Sequence, residues 1–380
     1  MRKIQLFRPK YRVEECLNEI KECLEIGWTG LGFKTVKFEE AWKQYTGLEH
    51  AHYLNSSTVG LDMAVEILKM QNNWADGDEI ITTPITFIST NHAIHRNKMK
   101  AIFADIDNSL NLNPADVRKK ISPKTKAIMF VGLGGNTANL KEIESICKEH
   151  NLKLILDAAH MAGTRYLDGS LPGKENADVI VYSFQAVKNC PTGDSGMICF
   201  KEKNLDDIVR KMSWLGINKD TYARTVNKDG AYKWKYDVEY TGYKAHGNSV
   251  MASLGLVSLK YLDEDNAYRR RLAEVYDSEF KDCKNIKLID IDKNCISSRH
   301  LYQILIDNRE EMIQKLNENG VFPGVHYRDN TEYKMYSYAK NTCPYAKYVS
   351  DNVLSLPLHL DITEKDVKDI CEIVIKHVNK

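Results

Sequence analysis

Two strand ends in this sequence carry residues that could do chemistry. Leu152-Lys-Leu-Ile-Leu-Asp157-Ala-Ala-His160 reads as a strand delivering a carboxylate and an imidazole at its carboxyl end. Open α/β sheets bind ligands at that end. A second strand, ending Tyr182-Ser183-Phe184, stops just before Lys188, and Asn-Cys-Pro-Thr-Gly-Asp-Ser-Gly196 follows as a glycine-bearing loop. A lysine placed there suits Schiff-base chemistry, in which its amine condenses with an aldehyde. The aldehyde cofactor that also uses an aspartate is pyridoxal 5'-phosphate (PLP). A carboxylate beside its pyridinium nitrogen keeps that nitrogen protonated, so the ring can act as an electron sink. The phosphate needs a cradle. Ser57 and Thr58 open a helix, whose free N–H groups and dipole favour an anion. Ser183 adds a hydroxyl, and Phe87 in Thr86-Phe87-Ile88-Ser89-Thr90 offers an apolar platform for the ring. Each residue alone has a plainer reading: surface lysine, turn aspartate, ordinary N-cap pair, core phenylalanine. Their order and spacing carry the joint reading.

The elements that must position them follow from periodicity and punctuation. Residues 11–26 have helical apolar spacing, stopped by Gly27, with a loop at Gly30 and Gly32; a second helix spans 35–45 and ends at Gly47. Then strands and helices alternate. Strands are expected at 52–54, 78–83, 100–104, 126–131, 152–157, 179–184 and 196–200, and helices at 59–69, 89–98, 115–121 and 140–150. Alternation of this kind predicts an α/β fold, a mixed, mostly parallel sheet covered by helices on both faces. Residues 215–247 are polar and aromatic and read as a long excursion with functional loops. One long helix is expected over 249–281, and residues 286–380 mix strands and helices as a smaller C-terminal α+β domain. The domain boundary is placed inside the long helix, giving 1–255 and 256–380.

Composition narrows the function classes. The chain has 380 residues, 43% hydrophobic and 28% charged, which excludes disordered and collagen-like classes. Lys plus Arg (53) balances Asp plus Glu (52), so nothing in the charge favours nucleic acid or a membrane surface. The run Arg269-Arg270-Arg271 beside Asp263, Glu264 and Asp265 reads as a solvated helix face. Nine cysteines without a CxxC read as reduced thiols of a cytoplasmic protein. No metal is expected: His50 with His52, and His92 with His95, have no third ligand at a metal-site spacing. Apolar runs such as Leu154-Ile155-Leu156 fall short of the ~20 residues of a membrane span. The first ten residues lack a signal-peptide core.

A rival reading comes from Ala127-Ile-Met-Phe-Val131-Gly132-Leu-Gly134-Gly135-Asn-Thr137. A strand, a GxGGxT loop and a helix mimic a dinucleotide fingerprint, with Asp157 ending the next strand. An NAD(P)-dependent oxidoreductase would use it, although Thr137 stands where a third glycine belongs. A non-catalytic regulator is the other alternative.

Taken together, Asp157-Ala-Ala-His160 and Ser183-Phe-Gln-Ala-Val-Lys188 resemble the motifs of the DegT/StrS sugar aminotransferases, PLP enzymes of fold type I (aspartate aminotransferase-like). The resemblance spans about residues 27 to 378 and includes Leu354-Ser-Leu-Pro357-Leu-His359. It implies that Asp157 meets the pyridine nitrogen, that His160 lies near the cofactor hydroxyl or the substrate, and that Lys188 carries the cofactor. It implies Ser183 and Ser57-Thr58 as phosphate ligands and Phe87 as the stacking ring. Gly242-Tyr243-Lys244 stands where relatives have Gly-Tyr-Asn, so Lys244 would reach a phosphate across a homodimer with shared sites. Asp194-Ser195-Gly196 replaces a Glu-Gly-Gly. Relatives with His in place of the lysine remove a hydroxyl instead; Lys188 argues against a PLP-dependent sugar dehydratase. The resemblance implies ping-pong transfer from L-glutamate, through pyridoxamine phosphate, to a keto-sugar, with a nucleotide-linked keto-deoxysugar as the expected acceptor. Amino-sugar biosynthesis for cell-surface polysaccharide is the implied setting. Thr29, Gly30, His326 and Tyr327 are the expected substrate contacts.

Overall fold

A computed structural model describes residues 2–218 and 236–378. Its centre is a seven-stranded sheet. The strands are β2 (His52–Leu54), β3 (Glu79–Thr82), β4 (Lys100–Phe103), β5 (Thr125–Val131), β6 (Lys153–Asp157), β8 (Val179–Ser183) and β9 (Gly196–Phe200). They lie in the order β2-β9-β8-β6-β5-β3-β4. β9 runs antiparallel to both neighbours, and the other pairings are parallel. The other strands of this half of the chain, both short, are β1 (Ile4–Gln5) and β7 (Arg165–Tyr166).

Side chains of a strand alternate between faces, and here both faces are buried. Met129, Ile155 and Val181 pack into one core, and Ile128, Phe130, Leu154, Leu156 and Tyr182 into the other. That is why these strands read as nearly continuous apolar runs. The first core is closed by α3 (Ser57–Gln71), α4 (Ile88–Arg96) and α7 (Lys203–Met212). The second is closed by α2 (Phe33–Thr46), α5 (Pro114–Lys120) and α6 (Leu140–His150). Helix α1 (Val13–Ile26) packs on α8 (Ser249–Lys260).

A third core has its own small sheet. β10 (Lys287–Leu288), β12 (Tyr302–Leu305) and β14 (Val353–Leu356) pair antiparallel. Helices α9 (Leu262–Phe280), α10 (Arg309–Glu318) and α12 (Glu364–Val378) bury Leu272, Tyr276, Met312, Leu316, Ile370 and Val374 there. The chain start joins this core: β1 pairs with β13 (Val321–Phe322), and Ile4 is buried with it. β11 (Cys295–Ile296) pairs with β7, and α11 (Pro344–Asn352) leads into β14.

Three expectations change. The helix expected over 249–281 is two helices, broken at Tyr261. Arg269 is not on a solvated face; it is 8% exposed. The 215–247 excursion is partly a paired ladder. Leu215 N–H donates to the Tyr243 carbonyl and Glu239 N–H to that of Gly216. A Cβ on Gly216, at φ +76, would stand 1.7 Å from the Tyr240 carbonyl oxygen. Residues 219–235 of the excursion lie outside the described residues.

Candidate active site

The carboxyl ends of β2, β5, β6 and β8 open onto one cavity of about 390 Å³. Ser57, Thr58, Phe87, Asp157, His160, Ser183, Lys188, His326 and Tyr327 all line it. Residues far apart in sequence meet there because parallel strands present their carboxyl ends to the same side.

Helix α3 meets the cavity end-on. Its N-cap is Ser56, one residue before the expected pair: the Ser56 Oγ accepts the Val59 N–H at 3.3 Å. Ser57 and Thr58 are therefore the first two helical residues, whose N–H groups have no intrahelical acceptor. The helix end fits against β9 because residue 196 is glycine. A Cβ there would lie 2.5 Å from the Ser57 nitrogen.

Asp157 is buried at the end of β6. Thr90 Oγ1 donates to its Oδ2 at 2.7 Å, and the Ala159 N–H to its Oδ1 at 3.1 Å. Burial raises its carboxyl above the ordinary range; those hydrogen bonds and the Lys188 charge pull it back. Lys188 shows the mirror effect. Burial lowers its amine to about 8, and the Asp157 charge opposes the drop. An ordinary lysine near 10.4 is almost wholly protonated at neutral pH; this one is a usable base.

His160 has a defined tautomer. The Gly134 N–H donates to its Nδ1 at 3.2 Å. Burial lowers its pKa well below the ordinary value, so the ring is neutral and its hydrogen sits on Nε2, 3.3 Å from the Tyr327 hydroxyl. His326, lowered to about 4 by burial, is held by Ser355 Oγ at 2.9 Å on Nδ1. Phe87 stays 59% exposed, its ring 6.2 Å from that of Tyr327. An aromatic left open at a cavity wall is a ready platform for a planar ligand.

Other expected residues lie elsewhere. The carbonyls of Thr29 and Gly30 accept the Ser249 N–H at the start of α8, and neither residue lines the cavity. Lys244 is also outside it, its Nζ 3.2 Å from the Trp214 ring centroid. Two of the four histidines weighed as metal ligands are spent on protein groups. His52 binds Glu39 and Ser213, and His92 binds Tyr336.

Residues without a sequence assignment also enter the cavity. Thr90 fixes Asp157 and sits three residues after Phe87, one helical turn on, a spacing that could have marked it. His300 stacks on Phe7 with centroids 5.5 Å apart and lies 4.3 Å from His160. Its Nδ1 donates to Asn189 Oδ1 at 2.9 Å, the neighbour of Lys188. The pairing of β1 with β13 and the His359 bond to the Gln5 carbonyl bring Phe7 here, and nothing local in the sequence signals that.

The Gly132–Gly135 loop is a short 3-10 turn with Gly134 at φ 65 and Gly135 at φ 85. Its N–H groups are spent on protein acceptors: Gly132 on the Asp157 carbonyl, Leu133 on Asn111 Oδ1, Gly134 on His160, Gly135 on the Gly132 carbonyl. A dinucleotide loop needs those donors for pyrophosphate, so this loop does not fit that role.

The donor set does fit a phosphorylated pyridine: a buried carboxylate, an open aromatic face, a helix N-terminus and a lysine amine share one cavity. The sequence profile of the DegT/DnrJ/EryC1/StrS aminotransferase family matches residues 10–375. The chain belongs to that family. It is 32% identical to the spore coat polysaccharide biosynthesis protein SpsC of Bacillus subtilis, over 95% of this chain and 94% of that protein. Its fold matches PseC of Helicobacter pylori, an aminotransferase of pseudoaminic acid biosynthesis, with a TM-score of 0.89, 26% identity and all of both chains covered. It also matches Spr1654 of Streptococcus pneumoniae, solved in a PLP-form (TM-score 0.87, 25% identity, 99% and 98% covered) and in a PMP-form (TM-score 0.88, 25% identity, 99% and 97% covered). The α/β fold expected from the alternating strands and helices is that of sugar aminotransferases.

Proposed function

We propose that this family member binds PLP and transfers an amino group from L-glutamate to a keto-sugar, with a nucleotide-linked keto-deoxysugar as the acceptor class. The observation that carries the reading is the Lys188 amine, lowered to about 8, in one cavity with buried Asp157 and the open N-terminus of α3.

When bound, PLP supplies the electron sink that makes the donor's α-hydrogen acidic. The protein's own groups do the rest. Ser57, Thr58 and Ser183 would hold the phosphate, and Phe87 would cover one ring face. Asp157, kept in place by Thr90 and the Ala159 N–H, would hold a proton on the ring nitrogen. Lys188 Nζ, unprotonated in a useful fraction near pH 7, takes the α-proton as general base and returns it as general acid. Neutral His160 offers an Nε2–H, and Tyr327 braces that edge of the ring. The neutral imidazoles of His160 and His326 add no charge that would compete with the lysine.

A homodimer in the cytoplasm belongs to the same reading. Thr29, Gly30 and Lys244 lie outside their own chain's cavity, as residues serving a partner's site would. Helix α1 exposes Val13, Leu17, Leu24 and Ile26, an apolar surface suited to a second subunit. Among the described residues no helix is long and apolar enough to cross a membrane. The separate third core supports a smaller C-terminal unit; the 255/256 division itself falls inside α8, where Ala252, Leu256 and Leu259 all pack against the second core.

The test is isotope transfer. The purified protein with PLP, L-[15N]glutamate and a nucleotide-linked keto-sugar should release 2-oxoglutarate and a sugar carrying 15N, read by mass spectrometry. Loss of a sugar hydroxyl without nitrogen gain would make it a dehydratase. Reduction that depends on NAD(P)H would return the oxidoreductase reading.

A further inference from the structure

The Lys188 amine makes no side-chain hydrogen bond among the described residues. A lysine stem is flexible, so the backbone beneath it must aim the amine. Most bonds of that backbone are local. The Ala186 N–H donates to the Gly193 carbonyl and the Lys188 N–H to that of Gln185. Asn189 carries the bonds that leave the loop. Its Nδ2 donates to the Ser298 carbonyl and to Asn266 Oδ1, each at 2.7 Å. A carbonyl can only accept, so the orientation of the amide is fixed and its Oδ1 is an acceptor. It takes the His300 Nδ1–H at 2.9 Å.

From there the bonds return to the site. The His300 N–H donates to the Gly134 carbonyl at 3.1 Å, and the Gly134 N–H to His160 Nδ1. Ser298 Oγ donates to the His160 carbonyl at 2.6 Å. His160, Ser298, Asn189, His300 and Gly134 thus form a closed circuit, and all its side chains are buried. A satisfied buried network of this kind is rigid. Arg299, between Ser298 and His300, stands at φ +46, which residues other than glycine seldom adopt. Backbone kept in such a shape is over-determined by its surroundings and clusters at functional sites. Here the Arg299 N–H donates to Ser297 Oγ at 3.0 Å, and its guanidinium meets Asp277 at 3.3 Å.

We propose, on the reading that Lys188 carries PLP, that Asn189 is the positioning residue of that lysine. Through Ser298 and His300 it ties the lysine loop to His160, so that amine and imidazole keep one fixed relation.

Capture of PLP by the cofactor-free protein reports where the amine points: the Lys188 nitrogen joins the aldehyde carbon and one water is released. Pyridoxamine phosphate has no aldehyde, so its affinity reports the rest of the cavity. Asn189→Ala should slow capture by about tenfold at the high-pH plateau and keep pyridoxamine phosphate affinity within about twofold. The pH midpoint should stay at about 8. Asn136→Ala is the matched control, a buried asparagine whose amide donates to the Ser109 and Asp290 carbonyls. It should lower the melting temperature as Asn189→Ala does, with capture unchanged. Should Asn189→Ala fail to fold, His300 decides. His300→Leu loses the bond to Asn189 and should slow capture; His300→Asn, with an amide N–H in the place of Nδ1, should restore most of the rate. Equal rates in that pair, or equal slowing in Asn189→Ala and Asn136→Ala, would overturn the proposal. So would an unchanged plateau with a raised midpoint, or a matching loss of pyridoxamine phosphate affinity. Borohydride reduction of the unaltered protein comes first: with no adduct on Lys188 the underlying reading fails, and with one the variants judge Asn189 alone.

Discussion

Two loops at the carboxyl ends of parallel strands both look like anion cradles in the sequence, and their donors go to different places. After β2, Ser56 caps α3 and leaves the first helical N–H groups facing the cavity. After β5, the glycine-rich turn spends its donors on Asp157, Asn111, His160 and itself. Glycine content therefore does not distinguish a ligand loop from a structural one. What distinguishes them is where the backbone N–H groups end up, which is an accounting question for every loop. The glycine turn still serves the site, because its Gly134 N–H sets the tautomer of His160.

The comparison can be broken at several points. Lys188→Ala should reduce amino transfer from L-glutamate by about 10⁴-fold, followed as 2-oxoglutarate release, with the circular dichroism spectrum unchanged. A loss below tenfold would detach the cavity from the chemistry.

Asp157→Asn should cost about 10²–10³-fold. It also has a pH signature. The reactive species is the neutral amine, so the rate of PLP capture by the cofactor-free protein should rise with pH through about 8. The Asp157 charge holds the Lys188 pKa up, so its removal should move that midpoint lower. A midpoint that stays put or moves higher would mean the two groups do not sense each other.

Ser183→Ala should weaken cofactor binding by about tenfold, one charge-assisted hydrogen bond's worth, measured by equilibrium dialysis. Gly134→Ala should have the smallest effect. Gly134 is at φ +65, and a Cβ there would meet no atom closer than 3.7 Å, so the change costs about 1–2 kcal/mol of stability for left-handed backbone. Denaturant titration checks that, and cofactor affinity should stay within twofold. A large affinity loss instead would show that the glycine turn touches the ligand after all.

The sheet is legible in the sequence because strands buried on both faces leave apolar runs that few other elements produce. Asp157, Ser183 and Lys188 are legible because each ends or follows such a run. The helix cap is not: Ser56, Ser57 and Thr58 all carry hydroxyls, and only the hydrogen bond to Val59 selects one. The break at Tyr261 has no glycine or proline to announce it. Arg269 escapes the charge pattern because charge runs describe average exposure, while one face of α9, carrying Asp265 and Arg269, turns inward, where Arg12 holds Asp265. Phe7 and His300 reach the cavity through contacts between distant segments, the kind of information periodicity does not hold.

The central claim is that Lys188 is the residue that carries PLP and gives it up to an amino donor. The most direct test is the absorption spectrum of the PLP-loaded protein before and after L-glutamate, with borohydride reduction and peptide mapping in parallel. The account predicts a visible band that glutamate bleaches, and a reduced cofactor adduct on the peptide containing Lys188. No band with added PLP, or an adduct on another lysine, would contradict it.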